Sequence, residues 1–263
     1  MNIVEAVYKR NSVRKYVPFN ISQKDFEEVE TMVKSLPRLY PEIKMDINIV
    51  KEGTKIQEIL KGIVLGLGKV EAPHYLIITS EKKDGYLENI GFALEELVLK
   101  LVAMGIGSCW LGETIKKELY RNIIEFPENQ EAVLMVAFGY PANNHDISKK
   151  EVGEYRRKSI DEIIIGDYEE IYKDIFNMVR VAPSGVNMQP WRFFIVDGGI
   201  DLYAVKGNLL SKRVYSFREL DAGIALKHFE IGCKEKGIKF RIKNLKLEDK
   251  KNMKYITSIL IEK

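Results

Sequence analysis

The chain has 263 residues, with 41 Lys plus Arg against 38 Asp plus Glu and a formal net charge of +3. That is enough material for one large core or two small ones without staples, and too even a charge balance to argue for a nucleic-acid partner. No apolar run reaches bilayer-spanning length, and the N-terminus opens on charged helical residues instead of a basic stub and an apolar core, so a cytoplasmic location without membrane contact is expected. Cys109 and Cys233 have no metal-ligand spacing, and a reducing compartment disfavours a disulfide, so no metal site is predicted and each reads as a buried small hydrophobe.

The first element runs from Asn2 to Arg10, with Ile3, Val4 and Val7 at helical spacing, and closes on Lys9-Arg10-Asn11-Ser12-Val13-Arg14. Arg10, Ser12 and Arg14 alternate, so an extended exit from the helix puts a guanidinium fork, a short hydroxyl and a second fork on one side of the backbone. Those are donors for a phosphate or a polyol. The same cations also complement a helix dipole, and on these residues alone both readings stand.

Ser22 caps a predicted helix from Gln23 to Lys34 that buries Phe26, Val29, Met32 and Val33, and Pro37-Arg38-Leu39-Tyr40-Pro41 then leads into a strand from Met45 to Val50. The stretch Gly53 to Val70 is ambiguous: Gly62, Gly66 and Gly68 lack the strand-turn-helix setting of a phosphate loop, and a flexible cover is the alternative. A buried strand follows from Ala72 to Ser80, then a helix from Leu87 to Met104. Gly105-Ile106-Gly107-Ser108-Cys109-Trp110-Leu111-Gly112 stops that helix and turns into a short strand, its second glycine allowing a close backbone approach. Glu113 to Ile123 reads as a short helix and Ala132 to Phe138 as a strand. After the basic run Arg156-Arg157-Lys158, the predicted elements are a helix from Tyr168 to Arg180, strands Trp191 to Val196 and Asp201 to Val205, a helix from Arg218 to Lys236, and closing strands Phe240 to Ile242 and Ile256 to Ile261. His228, on the second long helix, is expected at the surface or an interface.

Between the helix ending at Arg180 and the strand at Trp191 lies Pro183-Ser184-Gly185-Val186-Asn187-Met188-Gln189-Pro190-Trp191. Two prolines bracket a Ser-Gly-x-Asn core, which gives a compact loop with exposed amides and short polar side chains. Such a loop can hold the edge of a small polar ligand, or merely connect a helix to a strand whose Trp191 plugs the core.

The two halves repeat. Gly91-Phe92-Ala93-Leu94 matches Gly223-Ile224-Ala225-Leu226, and Gly105-Ile106 matches Gly237-Ile238, both 132 positions apart (91 to 223, 105 to 237). Met32-Val33-Lys34 and Pro37 match Met178-Val179-Arg180 and Pro183 at 146 positions (32 to 178, 37 to 183). The copies have lost complementary parts: the first lacks the Ser-x-x-Asn-x-Gln loop, the second lacks the basic opening strip and the Trp-x-Gly turn.

Arg10-x-Ser12-x-Arg14, Gly105 to Gly112, Arg156-Arg157 and the Pro183 to Trp191 loop together resemble the nitroreductase (FMN-dependent oxidoreductase) superfamily. The resemblance implies an α+β fold of two related halves, 1–165 and 166–263, each a mostly antiparallel sheet flanked by helices, related by a pseudo-twofold: a dimeric ancestor fused into one chain and acting as a monomer. It implies one FMN, its phosphate and ribityl oxygens held by Arg10, Asn11, Ser12, Arg156 and Arg157. Arg14 is placed toward the pyrimidine end, the Leu111 and Gly112 amides near the flavin N5, and Pro183, Ser184, Gly185, Asn187 and Gln189 on the other side. Flavin carries the chemistry, so no catalytic side chain is required and none of His74, His145 and His228 is needed. The implied reaction is a ping-pong cycle with NAD(P)H and then a nitroaromatic or quinone-like acceptor. A non-catalytic flavin- or ligand-binding protein on the same scaffold, or a flavin-free structural protein, remain the alternatives.

Overall fold

A computed structural model describes residues 1–60, 70–112, 117–142, 156–207 and 216–262. They form two compact units, Met1–Tyr86 with Leu97–Lys149, and Leu87–Glu96 with Lys150–Lys263. The first part of the first long helix thus groups with the second unit.

In the first unit, helix α1 (Ile3–Lys9) starts where Asn2 Oδ1 accepts from the Glu5 amide at 2.8 Å, and α2 (Gln23–Lys34) where Ser22 Oγ accepts from the Asp25 amide at 3.1 Å. Each cap satisfies one orphan donor of a first turn, which is why both boundaries follow from the sequence. Then come β1 (Met45–Val50), α3 (Gly53–Leu60), β2 (His74–Ser80), α4 (Tyr86–Ala103), β3 (Gly107–Leu111), α5 (Lys117–Tyr120) and β4 (Glu131–Gly139). The strands form one sheet in the order β1-β2-β4-β3, antiparallel throughout. All of β2 is buried, as its unbroken apolar run requires of a strand covered on both faces. Of the predicted 113–123 helix, 113–116 lie outside the described residues, as do 61–69 with Gly62, Gly66 and Gly68, and His145.

The second unit contains α6 (Ile160–Ile163), β5 (Ile164–Ile165), α7 (Lys173–Val181), β6 (Trp191–Val196), β7 (Gly199–Val205), α8 (Arg218–Glu235), β8 (Phe240–Lys243) and β9 (Met253–Ile261). A 3-10 turn at Glu170–Tyr172 precedes α7, so the regular helix starts later than its apolar period suggested. The sheet order is β5-β6-β7-β9-β8, antiparallel except for the short parallel pair β5 and β6. Without β5 the order is that of the first sheet: first, second, fourth, third. The expected mostly antiparallel sheets flanked by helices are therefore observed. No described helix is long and apolar enough to cross a membrane.

The Leu87–Glu96 stretch of α4 packs on α8 through reciprocal contacts. A Cβ on Gly91 would lie 2.0 Å from the Leu220 carbonyl oxygen, and one on Gly223 would lie 2.2 Å from the Glu88 carbonyl oxygen. The contacts 91 to 220 and 223 to 88 interchange under the 132-residue shift. One turn on, His228 Nε2 meets Glu95 Oε1 at 2.9 Å, and Lys227 Nζ meets Glu96 Oε2 at 2.9 Å as well as the Glu230 carboxylate. Both long helices stop alike, at Gly105 and Gly237 with φ of 81° and 67°, where the Ile106 amide donates to Leu101 O and the Ile238 amide to Cys233 O, each at 2.9 Å.

Of the two places expected for His228, the surface is excluded: the residue is fully buried where α8 packs on α4, its Nδ1 2.9 Å from Met178 O and its Nε2 against Glu95. Burial of the imidazole is tolerated because each ring nitrogen has a hydrogen-bonding partner.

Candidate functional site

In the first unit the basic strip runs beside β3. Arg10 is the C-cap of α1, its amide donating to Ala6 O at 2.8 Å, and its side chain is 5% exposed. Ser12 forms a parallel bridge with Ser108, and the Val13 amide donates to Ser108 O at 2.9 Å. The close approach foreseen at Gly107 is to this strip, since a Cβ there would stand 2.6 Å from Val13 Cγ2. Asn11 and Ser12 are half-buried and Arg14 is exposed, its Nη1 3.4 Å from Ser12 O.

β3 carries the strip's neighbours to the next predicted pair, ending at buried Leu111 with half-buried Gly112 beyond. Burial pushes the Cys109 thiol up, while the positive charges of Arg14 and Arg10 pull it back, which puts both guanidinium groups in electrostatic reach of the middle of β3. Ser108 Oγ is buried and finds no hydrogen-bond partner among the described residues. Arg10, Asn11, Ser12, Arg14, Leu111 and Gly112 thus lie along one strand, with an orphaned hydroxyl among them.

In the second unit the Pro183 loop and the basic run form a single hydrogen-bonded body. Pro183 is buried, and Ser184 is extended at φ −151°, ψ 154°. Three non-glycine residues then take left-handed backbone: Val186 at φ 45°, Asn187 at 58° and Gln189 at 47°. Each such residue costs about 1–2 kcal/mol, and a β-branched Val is the least suited to it.

The loop is held by its own polar groups. Ser184 Oγ accepts from the Gln189 amide at 2.9 Å, and the Gly185 amide donates to both Asp221 carboxylate oxygens at 3.3 Å. Asn187 Nδ2 donates to Arg156 O at 2.6 Å, while Asn187 Oδ1 accepts from Arg157 Nη1 and, at 3.1 Å, from Gln189 Nε2. Gln189 Oε1 accepts from the Lys158 amide at 2.7 Å, and Arg180 Nε donates to Lys158 O at 2.8 Å.

Arg156, Arg157, Pro183, Ser184, Gly185, Asn187 and Gln189 are therefore gathered in one place. The amide side chains of Asn187 and Gln189 are occupied in fixing the Arg156–Lys158 backbone. Trp191 is fully buried, so it plugs the core as the connector reading held. Three contributors were not singled out from the sequence: Lys158, Asp221 and Val186, which is 56% exposed at the loop tip. Val186 could have been found from its place between Gly185 and Asn187; Asp221, in the first turn of a helix 36 residues away, carried no signal. Among the described residues no cluster of His, Cys, Asp and Glu suits a metal ion.

Comparison with known proteins bears on what these two groups of residues serve. A family model described as "Putative TM nitroreductase" matches residues 2–233. A protein of Archaeoglobus fulgidus named "Putative NADH dehydrogenase/NAD(P)H nitroreductase" is 24% identical over 152 residues, 54% of this chain and 87% of its own length. A protein of the same name from Methanothermobacter thermautotrophicus is 22% identical over 152 residues, 55% of this chain and 80% of its own. A crystal structure from Thermotoga maritima, described as a putative nitroreductase, has the same fold with a TM-score of 0.62 at 22% identity, over 99% of this chain and 94% of its own. With the family model spanning all but the last strands, the chain belongs to the nitroreductase family.

Proposed function

We propose that the chain is an FMN-dependent oxidoreductase, driven by NAD(P)H and passing electrons to a nitroaromatic or quinone-like acceptor, and that it works in the cytoplasm as a monomeric internal pseudo-dimer. The observation that carries the flavin reading is the body made by Arg156–Lys158 and the Ser184–Gln189 loop. A strained turn is kept there by side-chain hydrogen bonds that hold two arginines in place.

The residues present fit such a nucleotide. Arg10, Ser12, Arg156 and Arg157 would bind phosphate and ribityl oxygens through charge-assisted hydrogen bonds, with Asn11 beside them, and the orphaned Ser108 hydroxyl offers one donor more. Arg14 would set a positive potential at the pyrimidine end, and the Leu111 and Gly112 backbone would face N5. Ser184 and Gly185 would meet the ligand directly, while Asn187 and Gln189 act by fixing the arginines and Pro183 by setting the loop's entry. FMN, when bound, supplies the two-electron chemistry; the protein binds, orients and sets the local field.

Three observations support the pseudo-dimer: the common strand order of the two sheets, the contacts of α4 and α8 that interchange under the 132-residue shift, and curated relatives that match about half of this chain. A non-catalytic flavin protein is the second reading, favoured by the loss of one full set of motifs. The absorbance spectrum of the purified protein, followed by anaerobic addition of NADH or NADPH, separates these readings. A flavin spectrum bleached by either nicotinamide is expected. A flavin spectrum that neither bleaches would favour the second reading, and a colourless protein that takes up no added FMN would end both.

A further inference from the structure

Three cations, Arg218, Lys158 and Arg192, gather at the start of α8, with Glu162 and the first-turn acids Glu219 and Asp221 as the carboxylates around them. Arg218, the first residue of this 18-residue helix, is 7% exposed, and its Nε is sealed from solvent with no hydrogen-bond partner among the described residues. No hydrogen bond or ion pair from a described residue reaches its guanidinium. Phe217 occupies the N-cap and makes no side-chain cap, so the first-turn amides have no side-chain acceptor there.

Lys158 and Arg192 share this neighbourhood. Burial, then the charge of Arg192 and more weakly that of Arg218, hold the Lys158 ammonium below the usual lysine range, and burial lowers the Arg192 guanidinium, with Glu162 opposing both shifts. The nearby acids each have other partners as well, and Glu219 faces Lys254 Nζ at 3.8 Å. Glu162 Oε2 accepts from the Ser159 amide at 2.8 Å and the Ser159 hydroxyl at 3.1 Å, capping α6, and both Asp221 oxygens accept from the Gly185 amide. A buried guanidinium nitrogen left without a hydrogen-bond partner is costly for a fold to retain, and a helix N-terminus beside it adds potential of the same sign.

We propose that the second unit binds a phosphate-type oxyanion at the N-terminus of α8, held by Arg218 with Lys158, Arg192 and the first-turn amides. The proposal does not depend on the flavin reading. The anion is either free phosphate or the phosphate of a bound nucleotide, and the two sources are separable.

The test is thermal melting of the purified full-length protein in phosphate-free buffer, titrated with sodium phosphate or with sodium chloride at matched ionic strength. Phosphate alone should raise the wild-type melting temperature saturably, by roughly 5–10 °C at a hundredfold excess over Kd. Arg218→Met should lose that response and melt no lower than wild type without phosphate, because a buried donor without a partner has been removed. Arg218→Lys should keep part of the response, and serves if the Met variant does not fold. Equal responses to phosphate in wild type and both variants, or a chloride response as large as phosphate's, would overturn the site. Flavin content measured on the same samples identifies the source. A phosphate response lost in Arg218→Met with flavin retained assigns a separate anion; flavin lost with it assigns the nucleotide's own phosphate. A wild type that binds phosphate but never FMN leaves this site standing and removes the flavin reading.

Discussion

Replacing Gly91 or Gly223 by Ala puts two effects of opposite sign into one measurement. Helix propensity alone favours Ala over an interior Gly by about 1 kcal/mol. Packing opposes it: the new Cβ would lie 2.0 Å from Leu220 O in one case and 2.2 Å from Glu88 O in the other, where ordinary contact is 3.4–4 Å. The obstructing atoms are main-chain carbonyls and cannot rotate aside, so the helices must separate by more than about 1 Å and leave the 95 to 228 and 96 to 227 pairs stretched. Overpacking of this kind costs about 3 kcal/mol or more, leaving a net loss of roughly 2–3 kcal/mol and a melting temperature lower by roughly 5–10 °C. Gly232→Ala is the internal comparison, since its Cβ would meet Ile175 Cγ2 at 3.0 Å and Ile175 Cα at 3.1 Å, tight contacts but not overlaps with a carbonyl; it should cost less than either of the other two. Calorimetric or circular-dichroism melts of the three single variants and of the Gly91→Ala, Gly223→Ala double variant provide the assay. The double variant should lose less than the sum, because a crossing already opened by one methyl accommodates the second. Gly91→Ala melting at or above wild type would refute the reciprocal packing.

Asn187→Ala should release the Arg156–Arg157 backbone, and FMN affinity measured by fluorescence titration should fall by about tenfold or more, with Arg10→Ala causing a loss of similar size; unchanged affinity in Asn187→Ala would remove the loop from the site. His74 is locked neutral, accepting from the Ile21 amide through Nε2 at 3.1 Å and donating through Nδ1 to Lys51 O at 2.7 Å, and burial holds it below the usual imidazole range. With its folded pKa depressed, its unfolded form binds protons first, so its contribution is whole above about pH 6.5 and declines as the pH falls below that value. Denaturation midpoints between pH 8 and 5 should show this decline in wild type and not in His74→Asn. Burial pushes the Cys233 thiol up to about 12 and raises Cys109 as well, so a colourimetric thiol reagent at pH 8 should label neither in the native protein and both after unfolding; rapid native labelling would contradict their burial.

Boundaries set by local chemistry were legible: the Ser22 cap, the Gly105 and Gly237 stops, and the strands with unbroken apolar runs. α8 was legible as a helix but not as a buried one. His228 was expected at the surface or an interface, and its partner Glu95, like the Lys227 partner Glu96, stands more than 130 positions away, where no spacing rule reports on it. The site motifs could be named as sequence, but not the division of labour within them. Asn187 grips Arg156 and Arg157 across about thirty positions, and Val186 takes a left-handed backbone that its branched side chain would argue against. Long-range polar pairing and backbone imposed by surroundings are the two kinds of information that a one-dimensional pattern omits.

The helix crossing at 95, 96, 227 and 228 also bears on assembly. Two copies of α4 meeting in the same geometry would set Glu95 against Glu96 twice, bringing four carboxylates together in a dry contact, and two copies of α8 would do the same with lysine and histidine. Acid on one helix and base on the other resolves that conflict only when the partners are encoded separately. Like thereby repels like, and α4 paired with α8 is preferred over either helix paired with its own copy.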